Sequence, residues 1–315
     1  LIPVYLKERF QGSDFYRGIK SVMTIHNLKF QGKWGIREVQ DITGLPDYYF
    51  TADKLEAYKD ANLLKGGIVF ADAITTVSAT YAEEIKTAFY GEGLDGLLRA
   101  RSKDLRGIVN GIDTDVFNPE TDKNIEFNYN AMNFRKEKIR NKRALQAELG
   151  LEQDDKKFMI GIVSRLTDQK GFDLISYVMD ELCQSNVQIV VLGTGEERYE
   201  NMFRHFDWKY NNKVSANIYY SDALSHKIYA ASDAFLMPSL FEGLPVVGIE
   251  AQASGLPCVF SDTITDEIIL SDRAVRLSLE QPDEAWAKEL IRLGTADRDR
   301  AEGRSVVRSA GYDIV

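Results

Sequence analysis

The sequence predicts an α/β protein, and three observations carry that prediction. Between residues 158 and 260, short apolar runs alternate with amphipathic stretches, the pattern of parallel strands covered by helices on both faces. A sparser version of the same alternation occupies the first 115 residues. A polar stretch with Pro119 and several Asn and Asp, residues 115–135, separates the two and suits an interlobe linker. The 315 residues agree with about two domains. The architecture expected is two Rossmann-like lobes, residues 1–114 and 136–315, with the first lobe incomplete.

In the second lobe, Phe158–Ser164 reads as a buried strand. Phe172–Cys183 follows as a helix, with Leu174, Ile175, Val178, Met179 and Leu182 at helical spacing. Val187–Leu192 is a strand that stops at Gly193-Thr-Gly195. Glu196–Phe206 is a helix, Val214–Tyr220 a strand and Ser225–Ala231 a helix. Ala234–Met237 is a strand, Pro245–Ser254 a helix and Pro257–Phe260 a strand. In the first lobe, Val22–Ile25, Ala73–Val77 and Gly107–Val109 are strand candidates, fewer than the five or six usual in a doubly wound sheet. Helical patterns cover Ile2–Phe10, Asp53–Lys59, Ser78–Phe89 and Leu94–Arg101. The chain starts inside the first of these patterns, which reads as a lobe lacking its N-terminal half. Arg135–Arg143 carries six basic residues and reads as a solvated helix face, with a phosphate-binding helix as the alternative. Asp297–Arg304 alternates in charge sign and reads as an exposed helix or loop.

Composition sets the outer bounds. With 44% hydrophobic and 28% charged residues, the chain is not predominantly disordered. A net charge of −9, from 39 basic and 48 acidic side chains, argues against nucleic acid as a partner. No run approaches the roughly 18 apolar residues of a membrane span, and no secretory signal pattern is present. The two cysteines, Cys183 and Cys258, lie in unrelated contexts and offer neither a disulfide framework nor metal spacing. These features predict a cytoplasmic protein with no integral membrane segment. No His/Cys/Asp cluster has metal-ligand spacing, and no Gly-x-Ser-x-Gly elbow supports a hydrolase triad.

Ser164-Arg-Leu-Thr-Asp-Gln-Lys-Gly171 directly follows a strand, and loops at the carboxyl ends of parallel strands border the ligand crevice. Arg165 and Lys170 there suit a pyrophosphate and the charge that develops on a leaving group; two surface cations are the plainer reading. Gly193 and Gly195 form a turn that lets backbone approach a ligand, or simply joins strand to helix. The third glycine of a dinucleotide fingerprint is missing, since position 198 is Arg. In Phe241-Glu-Gly-Leu-Pro-Val-Val-Gly-Ile-Glu250, Pro245 suits the first helical position, leaving first-turn amides open to a phosphate. Glu250 then reaches a ribose diol and Glu242 a sugar; an acidic helix start is the alternative. His26, followed by Asn27, ends a strand and is placed either for ligand contact or as a cap. His205 and His226 fall in helical patterns and read as surface or interface residues.

Thr24-Ile-His-Asn-Leu28, Val77-Ser-Ala-Thr-Tyr-Ala82, Gly91-Glu-Gly-Leu-Asp-Gly-Leu-Leu98, Val109-Asn-Gly-Ile-Asp113 and Ser164–Gly171 stand in that order. From the first residue to about Met237 they resemble the bacterial glycogen synthase family, closely related to plant starch synthases. The resemblance implies a GT-B fold of two lobes facing a cleft, the second binding nucleotide-sugar. It implies retaining transfer of glucose from ADP-glucose to the non-reducing end of an α-1,4-glucan, with no metal or other cofactor. By resemblance, Arg165 and Lys170 hold the donor diphosphate, and His26 and Asn110 lie near the transferred glucose. Tyr220 lies near the base, and Glu242 contacts the sugar.

Two departures matter. The family's early Lys-x-Gly-Gly-Leu loop has no counterpart, since Lys65-Gly-Gly-Ile68 is a different and later segment. That implies truncation by about one half-lobe. From Phe241 onward the chain instead resembles the large retaining family that builds capsular polysaccharides and exopolysaccharides. In that family's pattern Glu250 binds the nucleotide ribose, and Ala310-Gly-Tyr-Asp-Ile314 is similar to a closing helix. The alternatives implied are an exopolysaccharide hexosyltransferase using a UDP-sugar, or a nucleotide-sugar-binding fragment without turnover.

Overall fold

In the computed structural model, which describes residues 1–296 and 299–314, tertiary contacts divide the chain into Leu1–Asn110 and Gly111–Val315. The first unit runs α1 (Ile2–Glu8), α2 (Asp14–Arg17), β1 (Val22–Ile25), β2 (Lys33–Trp34), α3 (Ile36–Thr43), β3 (Glu56–Ala57), β4 (Asp60–Asn62), α4 (Leu63–Phe70), β5 (Ala73–Thr76), α5 (Ala79–Glu84), α6 (Asp95–Ala100) and β6 (Leu105–Gly107). The three anticipated strands form one parallel sheet in the order β1-β5-β6. Ile25, Ile74 and Leu105 pack from it against Ile68, Ala82, Ile85 and Leu98 of the covering helices.

The third strand sits two residues earlier than expected, and Ile108 beyond it is exposed. Asp53–Lys59 is not a helix. Tyr58 and Lys59 both adopt positive φ, 56° and 74°. They close a two-residue hairpin in which Ala57 pairs with Asp60, the geometry of a type I′ turn. The Glu56 carboxylate accepts from the Lys59 amide at 2.7 Å and secures the turn. Gly66 and Gly67 of the Lys65-Gly-Gly-Ile68 segment lie in α4, where an added Cβ would come within 2.9 Å of Leu55 and of Met23. Close packing accounts for both glycines.

The second unit runs α7 (Phe134–Glu148), β7 (Phe158–Val163), α8 (Phe172–Gln184), β8 (Val187–Leu192), α9 (Glu197–Lys209), β9 (Val214–Asn217), α10 (Asp222–Ala231), β10 (Ala234–Met237), α11 (Val246–Ala253), β11 (Cys258–Ser261), β12 (Ala274–Leu277), α12 (Asp283–Gly294) and α13 (Gly303–Ser309). The six strands are all parallel, in the order β12-β11-β10-β7-β8-β9. Their near-continuous apolar sequences follow from burial on both faces. Met159 and Val163 of β7 pack with Ile228 and Tyr229 of α10 and Ile249 of α11. Ile160 and Ile162 pack oppositely, with Phe172, Met179, Phe203 and Leu290. The strand β12 and the helix α12 were not anticipated. No helix of the described residues is long and apolar enough to cross a membrane.

Four expectations about polar residues change. Residues 115–135 are packed into the second unit rather than spanning as a linker: Tyr129 is 1% exposed, and its hydroxyl donates to Ser254 O at 2.7 Å. The basic helix α7 is solvated on one side only, because its i, i+4 pair Lys138 and Lys142 turns inward onto Asp233. Burial lowers the Lys142 pKa to about 8. His226 is buried rather than superficial: its Nδ1 lies 2.6 Å from Asp122 Oδ2, and Phe117 stacks on the ring. Within Asp297–Arg304, positions 297 and 298 lie outside the described residues, and Arg300 is buried rather than exposed.

Candidate functional site

In the six-stranded sheet the chain winds outward from β7 through β8 and β9, then returns to the other side of β7 with β10, β11 and β12. The winding direction therefore reverses between β7 and β10. In open parallel sheets the loops at the carboxyl side of such a reversal border a ligand crevice. The two loops concerned are 164–171 after β7 and 238–245 after β10, and they are laced together. Leu240 N donates to Gln169 O at 2.7 Å. Gly171 has φ of 73°, and an added Cβ would lie 2.0 Å from Pro238 O, so only glycine allows this approach.

Across these loops, Lys170 Nζ forms an ion pair with Glu242, and their side chains are 9% and 10% exposed. The structure thus joins two of the candidate residues. Arg165 lies on the same loop as Lys170 and is exposed. The loop after β7 thus carries one exposed cation, Arg165, and one cation nearly buried in a pair with Glu242.

Glu250 is carried by α11, whose N-cap is Pro245, so the helix begins one residue later than anticipated. Its Oε2 accepts from the Tyr229 hydroxyl at 2.8 Å. Burial raises the Glu250 pKa, opposed by that hydrogen bond and by His226 nearby, with Asp222 pushing it further up. The Tyr229 hydroxyl is held well above its ordinary range, first by burial and then by Glu250.

The helices α10 and α11 are fixed from behind. The buried guanidinium of Arg300 donates to Tyr229 O at 2.9 Å and Ser232 O at 3.0 Å at the end of α10, and to Gly255 O at 3.2 Å just past α11. One side chain thereby satisfies carbonyls at the end of α10 and one two residues past α11, near the negative ends of both helices. The 115–135 segment adds the Asp122–His226 contact to α10 and the Tyr129–Ser254 contact to the end of α11. Sequence reasoning missed Tyr229, Arg300, Asp122 and Tyr129. The sole local signal was the i, i+4, i+7 spacing of Asp222, His226 and Tyr229, which lines one face of a helix.

Gly193 and Gly195 do not offer their amides to a ligand. Gly193 N donates to Asn217 O at 3.1 Å and Gly195 N to Glu200 Oε1 at 2.9 Å. An added Cβ would lie 1.8 Å from Ser164 O at the first and 2.1 Å from Leu166 O at the second. Tight packing of the 193–195 turn against the 164–166 loop explains both glycines. Tyr220 is 87% exposed, just before the Ser221 cap of α10. In the first unit, His26 follows β1 and is exposed, while Asn27 Oδ1 accepts from Lys29 N at 2.9 Å. Asn110 ends that unit, half-buried after β6.

Comparison with known proteins places the fold within a family. Residues 1–100 match the starch synthase catalytic domain family, and residues 146–305 match glycosyl transferases group 1. The fold is that of a GT-B glycosyltransferase. The chain belongs to the glycosyl transferases group 1 family. It is 76% identical over 242 residues to a glycogen synthase of Lachnospira eligens and 66% identical over 242 residues to one of Lachnoclostridium phytofermentans. Each alignment covers 77% of this chain and 51% of the relative, so the chain spans about half the length of the curated relatives it matches. Among solved structures, the catalytic domain of starch synthase IV from Arabidopsis thaliana, bound to ADP and acarbose, superposes with a TM-score of 0.75 at 27% identity, covering 98% of this chain and 69% of that one. Sucrose-phosphate synthase from Thermosynechococcus elongatus shares the fold at a TM-score of 0.55 and 18% identity, covering 93% and 63%.

Proposed function

We propose that the protein is a retaining glucosyltransferase that moves glucose from ADP-glucose to the non-reducing end of an α-1,4-glucan in the cytoplasm. The observation that carries this reading is the Lys170–Glu242 pair at the sheet's reversal point, in a chain 76% identical to a glycogen synthase over 242 residues. Arg165 and Lys170 would bind the donor diphosphate and stabilise its charge as the glycosidic bond breaks, an electrostatic role that needs no carboxylate nucleophile. Glu242, held by Lys170, would meet the transferred sugar, and Glu250 the ribose. His26 and Asn110 would contribute from the first unit and Tyr220 near the base. Gly193 and Gly195 would shape the loop bearing on Arg165 rather than touch the donor.

A second reading, an exopolysaccharide hexosyltransferase using a UDP-sugar, is favoured by the spacing of Glu242 and Glu250 in a segment matched by glycosyl transferases group 1. Incubating the chain with ADP-glucose or UDP-glucose and a maltooligosaccharide separates the readings. Chain extension from ADP-glucose supports the first. Extension from UDP-glucose alone would transfer the assignment to the second. Nucleotide binding without either product would leave a binding fragment.

A further inference from the structure

We propose that Tyr229 is a positioning residue for nucleotide recognition, its phenol aligning the Glu250 carboxylate to accept both hydroxyls of a nucleoside diphosphate's ribose. The inference rests on the assignment of Glu250 to the ribose and deepens it. Tyr229 is 0% exposed, packed with Phe235 and Phe260 beneath the sheet's helices. The core surrounds its ring, and Arg300 donates to its main-chain oxygen at 2.9 Å. A phenylalanine would fill the same space without a buried hydroxyl that needs a partner. The hydroxyl has one, Glu250 Oε2 at 2.8 Å.

An ionised carboxylate has about four acceptor positions on its two oxygens. The phenol occupies one and fixes the rotation of the group. The remaining positions, including all of Oε1, which makes no protein hydrogen bond among the described residues, are left for a diol. The phenol also opposes the burial that favours the protonated acid, and a protonated acid would lose acceptor capacity for two hydroxyls. Recognition of ribose then depends on a residue that never touches the nucleotide. A group held by packing and a second hydrogen bond keeps its geometry where a free carboxylate would sample several rotamers.

The test measures affinity for ADP and 2′,3′-dideoxy-ADP by calorimetry on the 315-residue chain, its Tyr229→Phe and Glu250→Gln variants, and a chain with 3,5-difluorotyrosine at 229. The native chain should prefer ADP. Tyr229→Phe should cut that preference about fivefold or more through weaker ADP binding, with dideoxy-ADP affinity unchanged. A merely structural loss would weaken both nucleotides together and would overturn the proposal. The fluorinated phenol preserves packing and donates more strongly, so its ADP preference must shift from the native value even if Tyr229→Phe folds poorly. An unchanged preference with the fluorinated residue also overturns the proposal. If Glu250→Gln abolishes the preference while both Tyr229 changes preserve it, the ribose assignment stands and the role of Tyr229 falls. If Glu250→Gln keeps the full preference, the ribose assignment fails and the proposal falls with it.

Discussion

Lys170 and Glu242, 72 positions apart in the chain, meet as an ion pair at the place where the parallel sheet reverses its winding. The pairing links the side proposed to hold phosphate to the side proposed to hold sugar, so a ligand's charge on one must be felt by the other. Removing the Glu242 charge should free the Lys170 ammonium for a diphosphate. Glu242→Gln is therefore expected to bind ADP at least as tightly as the native chain. The extra affinity that glucose adds to ADP-glucose should fall by about tenfold, the scale of one charge-assisted hydrogen bond. Calorimetry with both ligands reads the two effects separately. An intact preference for ADP-glucose would remove Glu242 from the sugar site.

Arg165 and the neighbouring glycines should separate binding from folding. Arg165 is exposed on the loop after β7, so Arg165→Ala should leave the unfolding midpoint close to native. It should weaken ADP and UDP by about 1.5–3 kcal/mol, as for hydrogen bonds to charged groups. Gly195→Ala should do the reverse. Its Cβ would lie 2.1 Å from Leu166 O, and a clash with main chain costs stability on the order of 1–3 kcal/mol. Urea titration and calorimetry on both variants check the pair of expectations. Equal ADP affinity in Arg165→Ala and the native chain would end the diphosphate assignment.

The parts legible in the sequence were those set by neighbours along the chain. Phe158–Val163 and Val187–Leu192 announce themselves because strands buried on both faces must be apolar throughout, and glycine-bounded loops mark their ends. The loop carrying Arg165 and Lys170 could be placed because its strand was visible. Residues whose role depends on distant partners stayed hidden. Lys142 and His226 look like surface groups until Asp233, 91 positions away, and Asp122, 104 away, are brought to them. The Tyr58-Lys59 turn was missed for another reason: neither residue is among those that favour positive φ, so the hairpin is imposed by pairing of β3 with β4. Gly193 and Gly195 carried a real signal, a need for close approach, but the approaching group is the protein's own main chain.

Arg300 should prove as important to the second unit as any core side chain. Its guanidinium is the donor for carbonyls ending α10 and following α11. Arg300→Leu keeps apolar bulk but leaves those oxygens buried without a donor, a cost of about 3 kcal/mol or more. Because the two helices carry Tyr229 and Glu250, the preference for ADP over 2′,3′-dideoxy-ADP should shrink as well. Urea unfolding and calorimetry test the two effects. A stability loss under about 1 kcal/mol would show that water or another donor replaces the guanidinium.

In the first unit, pH should act through Asp72. Its carboxylate accepts from Lys7 Nζ at 2.6 Å and from Ser21 N at 2.8 Å, tying α1 and the residue before β1 to the start of β5. The Lys7 hydrogen bond, followed by that from the Ser21 amide, holds its pKa well below the ordinary carboxylate value of 3.8, against the opposing effect of burial. A depressed carboxylate pKa means that the unfolded chain binds the proton more readily than the folded one. The stabilisation is therefore fully present above the ordinary value and is lost as pH falls through it toward the folded-state value. Asp72→Asn should cost the first unit about 1–2 kcal/mol at pH 7, the scale of a lost charge-assisted hydrogen bond at a partly exposed site. The gap between variant and native chain should then narrow steadily below about pH 4, as the unfolded native chain takes up the proton that the folded one still resists. Urea unfolding at pH 7, 5, 4 and 3, read by amide exchange in peptides from residues 1–110, measures that gap. A difference that stays constant across the series would mean that Asp72 contributes through packing or neutral hydrogen bonding, with its charge playing no part.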